Sequence, residues 1–172
     1  VPEKKGLKIL DAGCGEGQLI KGLWKKYNHN LYYGIDITKV ALEKAKERCP
    51  FAKFDSMNLS KIKFEDESFD VIVCTQVLEH VSEYKRALIE FKRILKKGGC
   101  LIITFPNEIL YTIGRAFLLR KPIRVVDHVN SFSPKSLSRI VNLKKVKQVN
   151  LPFKSFPYFL SFACLLKFKK ME

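Results

Sequence analysis

Residues Lys8–Leu19 read KILDAGCGEGQL. The apolar pair Ile9-Leu10 ends in a carboxylate, Asp11, and glycines then alternate at Gly13, Gly15 and Gly17 ahead of a helix-like segment. A strand that runs into a glycine-rich turn and a helix N-terminus is the generic nucleotide-binding βα unit. Glycine is needed there because the turn is tight and a ligand lies against bare backbone. Two details separate this turn from the dinucleotide fingerprint. That fingerprint closes as G-x-x-G, which would need a glycine where Gln18 stands. It also seats a pyrophosphate on the helix N-terminus, and Asp11 would repel it.

A cationic ligand suits the same carboxylate. S-Adenosylmethionine (SAM), which bears an ammonium and a sulfonium, is such a ligand. Downstream, Leu31–Ile37 (LYYGIDI) is a β-branched and aromatic run that reaches Asp36, 19 residues after Gly17. An acidic residue at about this distance, on the tip of the second strand, accepts hydrogen bonds from ribose hydroxyls. It would repel a 2′-phosphate, which argues against an NADP-like ligand. Asp11, the three glycines and Asp36 form an ordered set, with Cys14 and Ile37 beside them as further cofactor-binding candidates. The alternative is an ordinary βα turn with a solvent-facing Asp.

At these residues the chain resembles the class I SAM-dependent methyltransferases. Phe69–Val81 (FDVIVCTQVLEHV) is similar to the fourth-strand signature of the branch that includes ubiquinone and menaquinone biosynthesis methyltransferases. Leu95–Asn107 (LKKGGCLIITFPN) is similar to the fifth-strand signature of that branch, and Asp127–Leu137 (DHVNSFSPKSL) to a segment leading into a late helix. The resemblance spans residues 7–142. It implies SAM as cofactor and leaves the methyl acceptor open, because fold and cofactor do not fix a substrate.

Alternating strand-like and helix-like segments predict an α/β fold with a mostly parallel sheet. Together with the resemblance, this gives a Rossmann-like, seven-stranded sheet with helices on both faces and a C-terminal antiparallel hairpin. Strands are expected near 8–12, 31–36, 51–54, 70–74 and 100–105, with late strands at Val146–Val149 and Ala163–Phe168. The first helix should run from Gln18 to Tyr27, and Thr38 reads as the N-cap of the second, which ends before Pro50. The clearest amphipathic helix follows Ser82, with Leu88, Phe91 and Leu95 on one face and Gly98-Gly99 as its stop.

The 172 residues read as one domain. No run of 18 apolar residues suggests a transmembrane helix, and no signal peptide is visible at the start. Five cysteines without C-x-x-C spacing argue against a disulfide framework or a zinc site and favour a reducing cytoplasm. Cys14, Cys74 and Cys100 fall in or beside strands, as small buried hydrophobes do. The net charge of +15 is uneven: residues 107–172 hold 13 Lys/Arg against 3 Asp/Glu. Such asymmetry suggests an anionic partner for the C-terminal part, or simply a lysine-rich solvated surface.

Methyltransferases of this kind usually carry helices before the first strand, whereas only VPEKKG precedes it here. Either the sequence is a fragment or that cover is absent, and residues 107–130 become the candidate lid and substrate segment. Its stretch ILYTIGRAFLLRKPIRVV mixes aliphatic, aromatic and basic side chains, as an amphipathic lid or a membrane-facing helix does. Weak, salt-sensitive contact with an anionic membrane surface is expected around Arg115–Arg124. Tight nucleic-acid binding is not expected, and oligomeric state is left open.

Ligands in such a sheet lie beyond the carboxyl ends of the strands. That places Asp55, Ser56 and Met57 after the third strand, where the resemblance puts adenine, and Thr75 and Gln76 after the fourth. Methyl transfer from a sulfonium needs mostly positioning and exclusion of water. A phenol or amine acceptor must also lose a proton, for which histidine is the usual base. His29 reads as an exposed turn residue, leaving His128 and His80 as the catalytic candidates. Some quinone-pathway O-methyltransferases bind a metal through acidic-x-x-Glu-His; here the first position is Gln76, so no metal is expected. Glu79 and His80 can instead cap the following turn.

The leading expectation is methyl transfer to a small or lipid-like acceptor. The alternatives are an RNA methyltransferase and a non-catalytic SAM-binding subunit of a complex. No N-P-P-Y/F tetrapeptide follows the fourth strand and no Pro-Cys pair is present, which argues against adenine-N6 and cytosine-C5 chemistry.

Overall fold

The computed structural model describes residues 5–108, 110, 112, 128–151, 158 and 161–171. Five strands, β1 (Lys8–Ala12), β2 (Leu31–Asp36), β3 (Lys53–Ser56), β4 (Phe69–Thr75) and β5 (Leu95–Pro106), pair in parallel. Helices α1 (Gln18–Lys26), α2 (Lys39–Arg48) and α3 (Tyr84–Ile94) make crossovers between them. Helix α4 (Pro134–Val141) then leads into β6 (Lys144–Leu151) and β7 (Ala163–Lys169). The sheet order is β3-β2-β1-β4-β5-β7-β6, with β7 antiparallel to both β5 and β6. This is the expected Rossmann-like sheet with its closing hairpin.

The period of two divides each buried strand between the two faces of the sheet. On β1, Ile9 joins Val71 and Val73 of β4 in a core with Ile20 of α1 and Leu42 and Ala45 of α2. Leu10 joins Ile72 and Cys74 in the opposite core, under Ala87, Leu88, Phe91 and Ile94 of α3 and Leu137 and Val141 of α4. Both faces of the central strands are therefore covered, which explains their near-continuous apolar runs.

Several boundaries differ from the sequence expectation. Strand β3 begins at Lys53 because Pro50–Ala52 form a turn, closed by the Ala52 N–H donating to the Cys49 carbonyl at 3.0 Å. Helix α3 stops at Ile94, four residues before the glycines. Leu95 already pairs with Phe69, and a register shift places Cys100 opposite Val71. Gly98, at φ 71°, sits in this irregular stretch and donates its N–H to the Lys170 carbonyl. Thr38 does precede α2 but makes no side-chain cap. By contrast, Ser133 caps α4 through a reciprocal pair with Ser136, and Pro134 occupies the first turn.

The sheet order reverses between β1 and β4: the chain steps outward through β2 and β3, then returns to the other side of β1. Ligands of open α/β sheets bind at such a switch point. All five cysteines are buried and free. No described helix is long and apolar enough to cross a membrane.

Candidate functional site

At the carboxyl ends of the strands lies a cleft of about 500 Å³, within the range of small-molecule sites. Gly13 lines it from the turn after β1, Asp36 and Ile37 from the end of β2, and Met57, Asn58 and Leu59 from the loop after β3. Gln76 and Val77 follow β4, and His80 through Glu83 form the far rim.

Backbone geometry makes the glycine turn. The N–H groups of Gly13 and Cys14 both donate to the Ile35 carbonyl, at 2.8 and 3.0 Å, so the chain leaves β1 by folding over β2. Gly13 has φ 82°, and a Cβ there would lie 2.5 Å from Val77. The ends of β1 and β4 can therefore approach only with glycine at this position. At Gly15, also at positive φ, a Cβ would meet nothing within 4 Å; the backbone there lies open to a ligand.

Asp36 organises the turn. Its Oδ2 accepts the Gly15 N–H at 2.8 Å, and its Oδ1 accepts the Thr38 N–H at 2.9 Å, supplying the cap that Thr38 lacks. A carboxylate has about four acceptor sites, so capacity remains for ribose hydroxyls on the cleft side. Asp11 is 2% exposed, and its Oδ1 has no partner among the described residues. Burial, and then the charge of Asp36, pushes its carboxyl up to about 7. An orphaned buried carboxylate oxygen beside an anion-organised turn fits a cationic ligand and disfavours an anionic one.

Of the cofactor candidates, the cleft gathers Gly13, Asp36, Ile37, Met57 and Gln76. Cys14, Gly15 and Gly17 shape the turn behind its lining. Burial, with Asp11 and Asp36, pushes the Cys14 thiol far up, so it stays protonated. Asp55 and Ser56 are the exposed last residues of β3, and Thr75 ends β4; none of the three lines the cleft. Asn58, Leu59, Ser82 and Glu83 line it without having been singled out in the sequence. Their only signal was position, just beyond the ends of β3 and β4.

The two catalytic candidates meet. His80, in a 3₁₀ turn at Leu78–His80, lines the cleft, and the His128 ring stands nearly perpendicular to it at 4.7 Å between centroids. The backbone imposes this contact. The N–H groups of Val129 and Asn130 both donate to the Glu79 carbonyl, and the Asn130 amide donates to the carbonyls of Leu78 and Val81. His128 Nδ1 pairs with Glu108 Oε1 at 2.5 Å, while burial pushes the Glu79 carboxyl up from its ordinary value. His29 is exposed in a turn. Most of the candidate lid, including Arg115–Arg124, lies outside the described residues.

A family model for the methyltransferase domain matches residues 10–103, from β1 into β5. The chain belongs to this methyltransferase domain family. SAM is the cofactor that the family implies, and the orphaned Asp11 oxygen, the open Gly15 backbone and Asp36 fit it. An uncharacterised protein of Methanocaldococcus jannaschii is 39% identical over 105 residues, covering 61% of this chain and 43% of that protein. The ubiquinone/menaquinone biosynthesis C-methyltransferase UbiE of Campylobacter jejuni is 35% identical over 106 residues, covering 58% and 45%. The methyltransferase domain thus spans less than half the length of these curated relatives. Among solved structures, a chain in the complex containing the Haloferax volcanii Trm112 methyltransferase activator superposes with TM-score 0.82 at 15% identity, covering 99% of this chain and 85% of that one. A Methanosarcina mazei SAM-dependent methyltransferase superposes with TM-score 0.74 at 22% identity, covering 98% and 95%. Both likenesses concern the fold.

Proposed function

We propose that this domain transfers a methyl group from SAM to a small or lipid-like acceptor. The observation that carries the reading is the cleft itself, which joins the Asp36-anchored glycine turn at one end to His80, with His128 behind it, at the other. When bound, SAM supplies a methyl group already activated on a sulfonium. In this reading Asp36 holds the ribose hydroxyls, Asp11 faces the ammonium and the bare turn lies along the methionine end. Asp55, Ser56 and Met57 were the adenine candidates; Met57, with Asn58 and Leu59, lies closest to that role. Gln76 closes the floor, where it is tied to the Thr104 hydroxyl at 3.3 Å. His80 and His128 take up the acceptor's proton as it is methylated, and Glu108 fixes the His128 ring.

The Campylobacter relative's name, which specifies ubiquinone/menaquinone biosynthesis, supports a lipid-like acceptor. An RNA acceptor is the second reading. It is favoured by the exposed Lys144, Lys145 and Lys147 on the sheet's outer strand, with Lys144 and Lys147 paired across from Lys169 and Lys167 of β7.

Label transfer from SAM to lipid extract, small phenols and total RNA separates these readings. Label in the lipid or phenol fraction is expected, and His128→Ala should lower that turnover by about 10²-fold or more with SAM affinity retained. Label in RNA alone would reverse the ranking. Binding without any transfer would leave a non-catalytic SAM-binding subunit.

A further inference from the structure

We infer that Arg48, anchored on Glu16, is a positioning residue that presets the glycine turn for SAM; this rests on the reading of the cleft as a SAM site. Arg48 lies in the last turn of α2. Its Nη1 donates to the Glu16 carbonyl, and its Nη2 donates to the Glu16 carboxylate at 3.2 Å. Lys44, one turn earlier on the same helix, pairs with the other carboxylate oxygen at 2.9 Å. Next along the chain, the Cys49 thiol, which burial keeps protonated, donates to the Gly17 carbonyl at 3.5 Å. Asp36 already holds the Gly15 N–H. Three consecutive turn residues are thus each tied to α2, to its C-cap or to the strand end that leads into it.

The turn needs such support because its own backbone is not stiff. Gly13, Gly15 and Gly17 all stand at positive φ, and glycine has the most backbone freedom to lose on ordering. If the turn were loose, SAM affinity would fall with the fraction of time it spends in its binding shape. Helix α2 is a firm platform for holding it. Leu42, Ala45 and Cys49 are buried in the core, and a Cβ at Gly17 would sit 3.2 Å from that of Ala45. The exposed Lys44–Glu16 pair contributes little by itself, since ion pairs at the surface are screened. The bond from Arg48 to the Glu16 carbonyl differs in kind: it fixes main chain between Gly15 and Gly17, in the stretch assigned to the methionine end. Arg48 does not line the cleft, so it acts on the ligand through the turn.

Calorimetric titration with S-adenosylhomocysteine of the wild type, Arg48→Ala, Arg48→Lys and Lys44→Ala tests this. Arg48→Ala should bind about 10-fold more weakly, the scale of ordering one backbone residue. Arg48→Lys keeps the charge but cannot bond carbonyl and carboxylate together through one planar fork, and its affinity should fall severalfold. Lys44→Ala should stay within about threefold of the wild type. Millimolar methylguanidinium should restore affinity to Arg48→Ala and leave the wild type unchanged. Without ligand, amide hydrogen exchange at residues 15–17 should be faster in Arg48→Ala, and urea denaturation separates lost stability from lost affinity. If Arg48→Ala does not fold, Arg48→Lys carries the comparison. Equal affinity in the wild type and the Arg48 variants would overturn the inference, as would weaker binding with exchange in the turn unchanged. A wild type that binds no S-adenosylhomocysteine would contradict the SAM site itself and remove this inference with it.

Discussion

Asp11 shows how far a single residue could be read in advance and where that reading stopped. Its place after Ile9-Leu10 and before the glycines pointed to a cationic ligand. Only the structure supplies its burial, its orphaned oxygen and the neighbouring charge of Asp36. These have a consequence for pH. A carboxyl near 3.9 in the unfolded chain and about 7 when folded keeps its proton better in the folded state. The ligand-free protein should therefore be most stable, with respect to this group, below pH 4, and should lose that advantage as pH rises through about 7. A bound cation favours the ionised form and reverses the shift. Affinity for SAM should rise with pH between about 5 and 7, with a proton released on binding. Calorimetry in buffers of different ionisation enthalpy measures that proton, and Asp11→Asn should flatten the pH dependence. Affinity that is level across this range would show that Asp11 does not face the ligand's charge.

Among the elements, the turn between β1 and α1 was legible because glycine at alternate positions has few other uses. The end of α3 was not. Leu95-Lys96-Lys97 favours helix on its own, yet pairing of Leu95 with Phe69 recruits it into β5, a tertiary contact that local propensity does not contain. Cap chemistry was half legible. Thr38 marked the right boundary, but the hydrogen bond belongs to Asp36, so one residue serves both helix α2 and the proposed ribose site. The meeting of His80 with His128 depends on the Asn130 staple, which has no sequence signature. Gly13→Ala tests the turn as an element. A Cβ at φ 82°, 2.5 Å from Val77, combines backbone strain with overpacking, each costing about 1–3 kcal/mol. Urea denaturation should show a loss of that order. Restoring space with Val77→Ala should recover only the packing share. An unchanged midpoint in Gly13→Ala would mean that the β1–β4 approach is looser than described.

For the whole molecule, sheet order and the two apolar faces followed from alternating segments because parallel α/β topology has few solutions. The charge distribution specifies no partner, since lysines on an outer strand also protect a sheet edge. The central claim is that the switch-point cleft is a SAM site anchored by Asp36. Titration calorimetry with S-adenosylhomocysteine, on the wild type and on Asp36→Ala, tests it most directly. The wild type should bind one equivalent. Asp36→Ala should lose about 1.5–3 kcal/mol for each charge-assisted ribose hydrogen bond, roughly a tenfold drop in affinity or more. No binding by the wild type, or equal affinity in the two proteins, would contradict the account.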